Sequence, residues 1–144
     1  MATDRHAEVS WRGSLMDGSG RIERVGTGAF GPLDVSWPAR TEEPGAQTSP
    51  EELIAAAHAA CFSMALAHEL AEGGNAPERL DTRADVTFEP GTGIVASRIT
   101  VRGRVPGLDE SAFREAAEGA RTGCPVSQAL AGVPEITVEA ALEG

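Results

Sequence analysis

The period of the hydrophobic pattern changes along the chain, and each change marks an element. In "AEVSWRGSL" the apolar Val9 and Trp11 alternate with Ser10 and Arg12, the signature of a half-buried strand. The turn-forming "MDGSG" separates this strand from "RIERV", and the glycine-rich "GTGAFG" separates that from "LDVSW", so the first forty residues predict a β-meander. The polar "PARTEEPGAQT", broken by Pro38 and Pro44, reads as a loop.

Alternation then gives way to the almost unbroken apolar run of "PEELIAAAHAACFSMALAHEL". Its start is marked by Ser49 as N-cap, Pro50 at the first helical position and Glu52 three residues after the cap, and its end by Gly73-Gly74. About 23 residues at 1.5 Å each predict a helix roughly 34 Å long. Between Leu53 and Ala67 only His58 and Ser63 interrupt the apolar residues, so most of the circumference needs cover. A second copy of the chain is one way to supply it.

Alternation returns in "DTRADVTFE" and "GIVASRITVRGRV", a predicted hairpin joined by "PGTG". The segment "DESAFREAAEGAR" is helical, with Asp109 or Ser111 as cap and Ala112, Ala116 and Ala120 at helical spacing; "GCPVSQALAG" restarts a short helix at Pro125, and "EITVEAAL" closes as a strand. The elements predict a single α+β domain over residues 1–144.

Composition sharpens this picture. Aromatic residues make up 4% and Tyr is missing, so the core is built from Leu, Val, Ile and small residues. All twelve basic residues are Arg, against 22 acidic ones, for a net charge of −10. Such a chain repels phosphate backbones and anionic lipid, which argues against nucleic acid and membrane surfaces as partners. The N-terminus lacks a signal-like apolar run, and no segment reads as about 18 uncharged apolar residues, so a cytoplasmic protein is expected.

Two cysteines in a reducing compartment point to redox, catalytic or ligand chemistry more than to a structural bridge. Cys124 falls at the predicted N-cap of the short helix, where backbone N–H groups favour a thiolate. Cys61 lies about three turns inside the long helix, so its activation needs a side chain from elsewhere, with Arg the obvious type. Glu51, ten positions before Cys61 and so roughly 15 Å away along the axis, cannot touch it, but could orient a long Arg such as Arg40 by bidentate pairing. Cys61 also reads as a small buried hydrophobe, and Cys124 as a cap without chemical use. A metal held by His58, Cys61 and His68 is disfavoured, because Cys61 and His68 are about 10.5 Å apart along a straight helix.

The segment "TSPEELIAAAHAACFSMAL", followed some sixty residues later by "TGCPVSQAL", resembles the osmotically inducible protein C / organic hydroperoxide resistance (OsmC/Ohr) family, closer to the OsmC branch. The resemblance runs from "WRG" to "EITVEAAL". It implies curved antiparallel sheets around a long central helix in an intertwined homodimer, with sites at the subunit interface. It further implies a thiol-dependent peroxidase of the oxidative and osmotic stress response, acting on organic hydroperoxides and more weakly on hydrogen peroxide.

Carried over by position, Cys61 is the peroxidatic thiol that becomes a sulfenic acid, and Cys124 the resolving thiol that closes the disulfide. Arg40 and Glu51 match the family's activating pair, with Arg12, Arg21 and Arg24 as substitutes. Phe30, Phe62, Met64 and Leu66 are candidate apolar walls. The implied reductant is a dithiol, such as a lipoylated protein, and no cofactor or metal is implied. The other readings are a thiol redox sensor or binding protein without fast turnover, and an inert structural dimer.

Overall fold

The computed structural model describes residues 1–143, which divide into two compact units, Met1–Leu53 and a second that begins at Ile54. In the first, β1 (Ala7–Arg12), β2 (Ser19–Val25) and β3 (Leu33–Val35) form the expected antiparallel meander. A bulge between Glu8 and Val9 shifts the β1–β2 register. Gly20 lies in the middle of this sheet because a Cβ there would come within 2.5 Å of the Trp11 ring.

The stretch expected to be loop contains a short helix, α1 (Trp37–Thr41). The two prolines that suggested a loop explain it differently: Ser36 caps the helix through its side chain, and Pro38 occupies the first turn, where a missing N–H costs nothing. Arg40 therefore stands on a helix rather than in a loop, in its last turn.

The long helix, α2 (Pro50–Glu72), begins where the sequence indicated, with the Ser49 hydroxyl accepting from the Glu52 N–H at 3.1 Å. The Glu52 carboxylate accepts from the Thr48 hydroxyl at 2.7 Å, which further ties down the helix start. By length and hydropathy α2 does satisfy the criteria of a membrane span, contrary to expectation: an 18-residue window averages a hydropathy of 1.4. Its chain of His58, Phe62, Leu66 and Leu70, each four residues apart, is nevertheless buried in a protein core. That periodic stripe is what a core helix shows.

In the second unit β4 (Arg79–Glu89) and β5 (Gly93–Arg104) make the predicted hairpin, and β6 (Glu135–Leu142) lies on the other side of β5. The β5–β6 pairing is parallel, so this sheet is mixed and not purely antiparallel as expected. A parallel partner requires a crossover rather than a turn, and α3 (Glu110–Gly123) and α4 (Pro125–Ala129) supply it. Asp109 is the cap of α3, its carboxylate accepting from the Ala112 N–H at 2.8 Å. The core of this unit joins Phe62, Leu66 and Leu70 to Ile99, Val101 and Val105 of the β5 region and to Phe113, Ala117 and Ala120 of α3. Small residues at 117 and 120 let α3 approach closely enough for the scarce aromatics to fill the space.

Candidate active site

Cys124 is at once the residue that ends α3 and the one that begins α4. Its N–H donates to the Ala120 carbonyl at 2.9 Å, and its carbonyl accepts from the Gln128 N–H at 3.0 Å. The side chain is fully buried, while Cys61 on α2 is partly exposed; both are free thiols. Each thiol is near enough to shift the other's ionisation, so the fold brings together two thiols 63 positions apart in the chain.

Their environments differ. Burial pushes the Cys61 thiol above its usual range, and the neighbouring Cys124 raises it further, against a smaller opposing effect from the Val126 N–H. Burial acts on Cys124 in the same direction, but is outweighed by the Ser127 N–H, the Cys61 thiol, the Val126 N–H and the Ser127 hydroxyl, so Cys124 is shifted down. The first turn of α4 thus favours negative charge at Cys124 over Cys61.

Arg40 and Glu51 are paired as a fork. Arg40 Nε donates to Glu51 Oε1 at 3.0 Å and Oε2 at 3.2 Å, and Nη2 donates to Oε2 at 2.7 Å. Glu51 is buried and Arg40 partly so, which makes this ion pair stiffer and less screened than the exposed ones on the sheets. The Arg40 guanidinium also lies 5.8 Å from the centroid of the Trp37 ring, one turn earlier in α1. Arg21 and Arg24, the substitutes, are exposed and paired with Asp34 and Glu8.

The proposed apolar walls separate. Phe62 and Leu66 are core residues without exposed surface, whereas Phe30 and Met64 are exposed. His58, a possible ligand in the sequence, is fully buried between two hydroxyls: Nδ1 is 2.6 Å from Ser97 Oγ and Nε2 is 2.8 Å from Ser127 Oγ. His68 is exposed beside Glu72. Among the described residues no three His, Cys, Asp or Glu side chains are grouped to hold a metal ion. Ser97 and Ser127 escaped the sequence reading; the available signals were a serine inside the buried run of β5 and one three residues after a capping cysteine.

Two free cysteines near enough to shift each other's ionisation, on an α+β scaffold, are the chemistry of a dithiol redox protein. Comparison with known proteins makes the class specific. A model of the OsmC-like protein family matches residues 43–139. The chain is 38% identical to Peroxiredoxin OsmC of Escherichia coli (strain K12) over 143 aligned residues, covering 96% of each. It therefore belongs to the OsmC family. Among solved structures, the organic hydroperoxide resistance protein OhrB of Bacillus subtilis superposes with a TM-score of 0.62 at 25% identity, covering 96% of this chain and 98% of that one. An OsmC-like protein from Vibrio cholerae shares the fold with a TM-score of 0.70 at 14% identity, covering 96% and 99%.

Proposed function

We propose that the protein is a two-cysteine peroxidase that reduces organic hydroperoxides. The observation that carries this reading is the proximity of the Cys61 and Cys124 thiols, each near enough to shift the other's ionisation, reinforced by the similarity to a peroxiredoxin. In the reaction Cys61 attacks the terminal peroxide oxygen, the O–O bond breaks, and the alkoxide leaves as an alcohol after taking up a proton. Cys61 is then a sulfenic acid, oxidised by two electrons. Cys124 attacks that sulfur, hydroxide leaves as water, and the disulfide forms; overall the dithiol and ROOH give the disulfide, ROH and water. A dithiol reductant, for example a lipoylated protein, restores both thiols by exchange.

Cys61 must lose its proton to react, and one group is assigned to that task. Arg40, held in orientation by its fork to Glu51, is the cation assigned to the developing thiolate. We further assign the chain to the cytoplasm and to a homodimer over a single functional domain, residues 1–144. The exposed Ala56, Ala57, Ala60 and Met64 on α2 support the dimer, as an apolar face awaiting cover.

Peroxide consumption with cumene hydroperoxide and dithiothreitol tests the activity: the unmutated chain turns over, and Cys61→Ser does not. Equal rates overturn the assignment, and a single rapid oxidation without turnover would make the protein a sensor instead. Sedimentation of the unmutated chain and Met64→Glu tests the dimer, which the charge should dissociate.

A further inference from the structure

The ring of His58 is a buried polar group that the peroxidase reaction leaves unused. His58 and Ser97 have no exposed surface, and Ser127 has 7%. Nδ1 lies 2.6 Å from the hydroxyl of Ser97 on β5, and Nε2 lies 2.8 Å from the hydroxyl of Ser127 on α4. A side chain of α2 thus spans from the central strand of its sheet to the short helix that Cys124 begins. With no water at hand to replace a lost partner, breaking either bond would leave a ring nitrogen buried and unpaired, so both resist opening.

The α4 end of this bridge stands one turn from both thiols. His58 and Cys61 are three positions apart on α2, neighbours on one face with about 4.5 Å of rise between them. Ser127 comes three positions after Cys124, at the far end of the first turn of α4. The His58–Ser127 bond therefore joins α2 to α4 one turn away from each sulfur-bearing residue. Cys61 itself packs against the core cluster that contains Cys124.

The short helix needs such a tie. Its five residues are far fewer than the roughly 12–15 at which a helix begins to hold itself together in water. Its N-cap, Cys124, makes no side-chain cap bond. Val126 packs partly buried against the core, but an apolar contact has no direction and does not fix the rotation of so short a helix. Among the described residues, Ser127 is the one α4 side chain hydrogen-bonded to another element. Ser97 holds the opposite edge of the imidazole, so the ring is already oriented where it meets α4.

We propose that His58 is a positioning residue for the thiol pair: its bond to Ser127 fastens α4 to α2 and so holds Cys124 within reach of Cys61. The inference rests on the reading of these two cysteines as the pair that closes the disulfide. In that step the Cys124 thiolate forms the S–S bond with the sulfur of Cys61 sulfenic acid, the S–O bond breaks, and the leaving hydroxide takes a proton to become water. Cys124 is oxidised by one electron and the Cys61 sulfur reduced by one. A thiol kept in place has already given up freedom that closing the ring would otherwise cost, which raises its effective concentration at its partner.

The test is the equilibrium between protein dithiol and disulfide in mixtures of reduced and oxidised glutathione, read by mass spectrometry after free thiols are trapped. As the protein's S–S bond closes, two electrons and two protons pass to oxidised glutathione, which becomes two thiols. Ser127→Ala deletes only the α4 end of the link and should lower the closure constant about three- to tenfold, the worth of one hydrogen bond. At about 30 mV per tenfold, the reduction potential rises by up to that amount. Ser63→Ala is the control for stability alone. It removes a hydroxyl 2.6 Å from that of Thr82, between α2 and β4, and should lower the urea midpoint without moving the closure constant. A constant unchanged in Ser127→Ala, or lowered equally in Ser63→Ala, would reduce the link to ordinary packing and overturn the proposal.

Two replacements of the ring separate its two bonds. His58→Gln carries an amide out to the position of Nε2 and keeps the tie to Ser127, whereas His58→Asn reaches only the position of Nδ1 and keeps Ser97 instead. Closure should stay near the unmutated constant in the first and fall in the second, whatever each costs in stability; equal constants overturn the proposal. Absence of peroxide turnover in the unmutated chain refutes the peroxidase reading and leaves these constants unaffected. Normal turnover with a constant that Ser127→Ala does not move refutes only the role of His58.

Discussion

Removing the resolving thiol should make the attacking thiol more, not less, ionised. In the dithiol, burial, the neighbouring Cys124 thiol and the charge that Cys124 carries when ionised all push the Cys61 thiol up; only the Val126 N–H opposes them. Cys124→Ala deletes the two contributions that come from Cys124 and leaves the other two in place. A neighbouring charge at a partly buried thiol is worth about 1.5 kcal/mol or more, so at a pH below the transition the Cys61 thiolate should rise about tenfold. The fold loses little, since trimming one buried sulfur removes roughly as much burial as a methylene, about 1 kcal/mol. Iodoacetamide labelling of Cys61 against pH, followed by mass spectrometry, measures the effect. The same variant should form the first sulfenic acid at least as fast as the unmutated chain, then stop turning over and accumulate sulfinic acid. If Cys61 in Cys124→Ala labels no faster than in the unmutated chain, the coupling ascribed to the pair is wrong.

Other perturbations reach different parts of the structure. Glu51→Gln removes the charge that the Arg40 fork grips, and should cost about 1–3 kcal/mol in urea unfolding while lowering kcat/KM for peroxide by tenfold or more; unchanged kinetics would detach the pair from catalysis. Because the folded state disfavours protonated His58, the unfolded chain binds more protons below about pH 6.5, so stability should fall as pH drops through that range by up to about 1.4 kcal/mol per pH unit. That increment should be missing from His58→Gln, as thermal melts at several pH values would show. Gly103→Ala places a methyl 2.5 Å from the buried Phe113 ring and should destabilise by about 1–3 kcal/mol, read as a lower urea midpoint; an unmoved midpoint would mean the ring yields freely.

Legibility in the sequence followed how local each signal is. The α2 start was readable because its cap, proline and acidic first turn are all written within four positions, and the β4–β5 hairpin because its alternation is strict. The α1 helix was not, since Pro38 breaks a strand or helix interior as readily as it opens a helix, and only the Ser36 side-chain bond decides between them. The parallel pairing of β6 depends on what the crossover packs against, which no strand periodicity records. At the site, the residue types were visible while their pairings were not. That Cys61 meets Cys124 depends on α2 and α4 being brought together across the core. That His58 is neither ligand nor filler depends on serines 39 and 69 positions away.

The joint at Cys124 also limits how this chain can vary in length. One residue closes α3 and opens α4, with its N–H committed to Ala120 and its carbonyl to Gln128. Inserting or deleting a residue in "RTGCP" would rotate the sulfur by about 100° about the helix axis and shift it by about 1.5 Å. No intervening loop could absorb that change. The turn at "PGTG", where Gly91 sits in open space at positive φ, has no such commitment. Length changes should therefore be tolerated at the tip of the β4–β5 hairpin and should disable the thiol pair at the α3–α4 joint, even where the fold survives both.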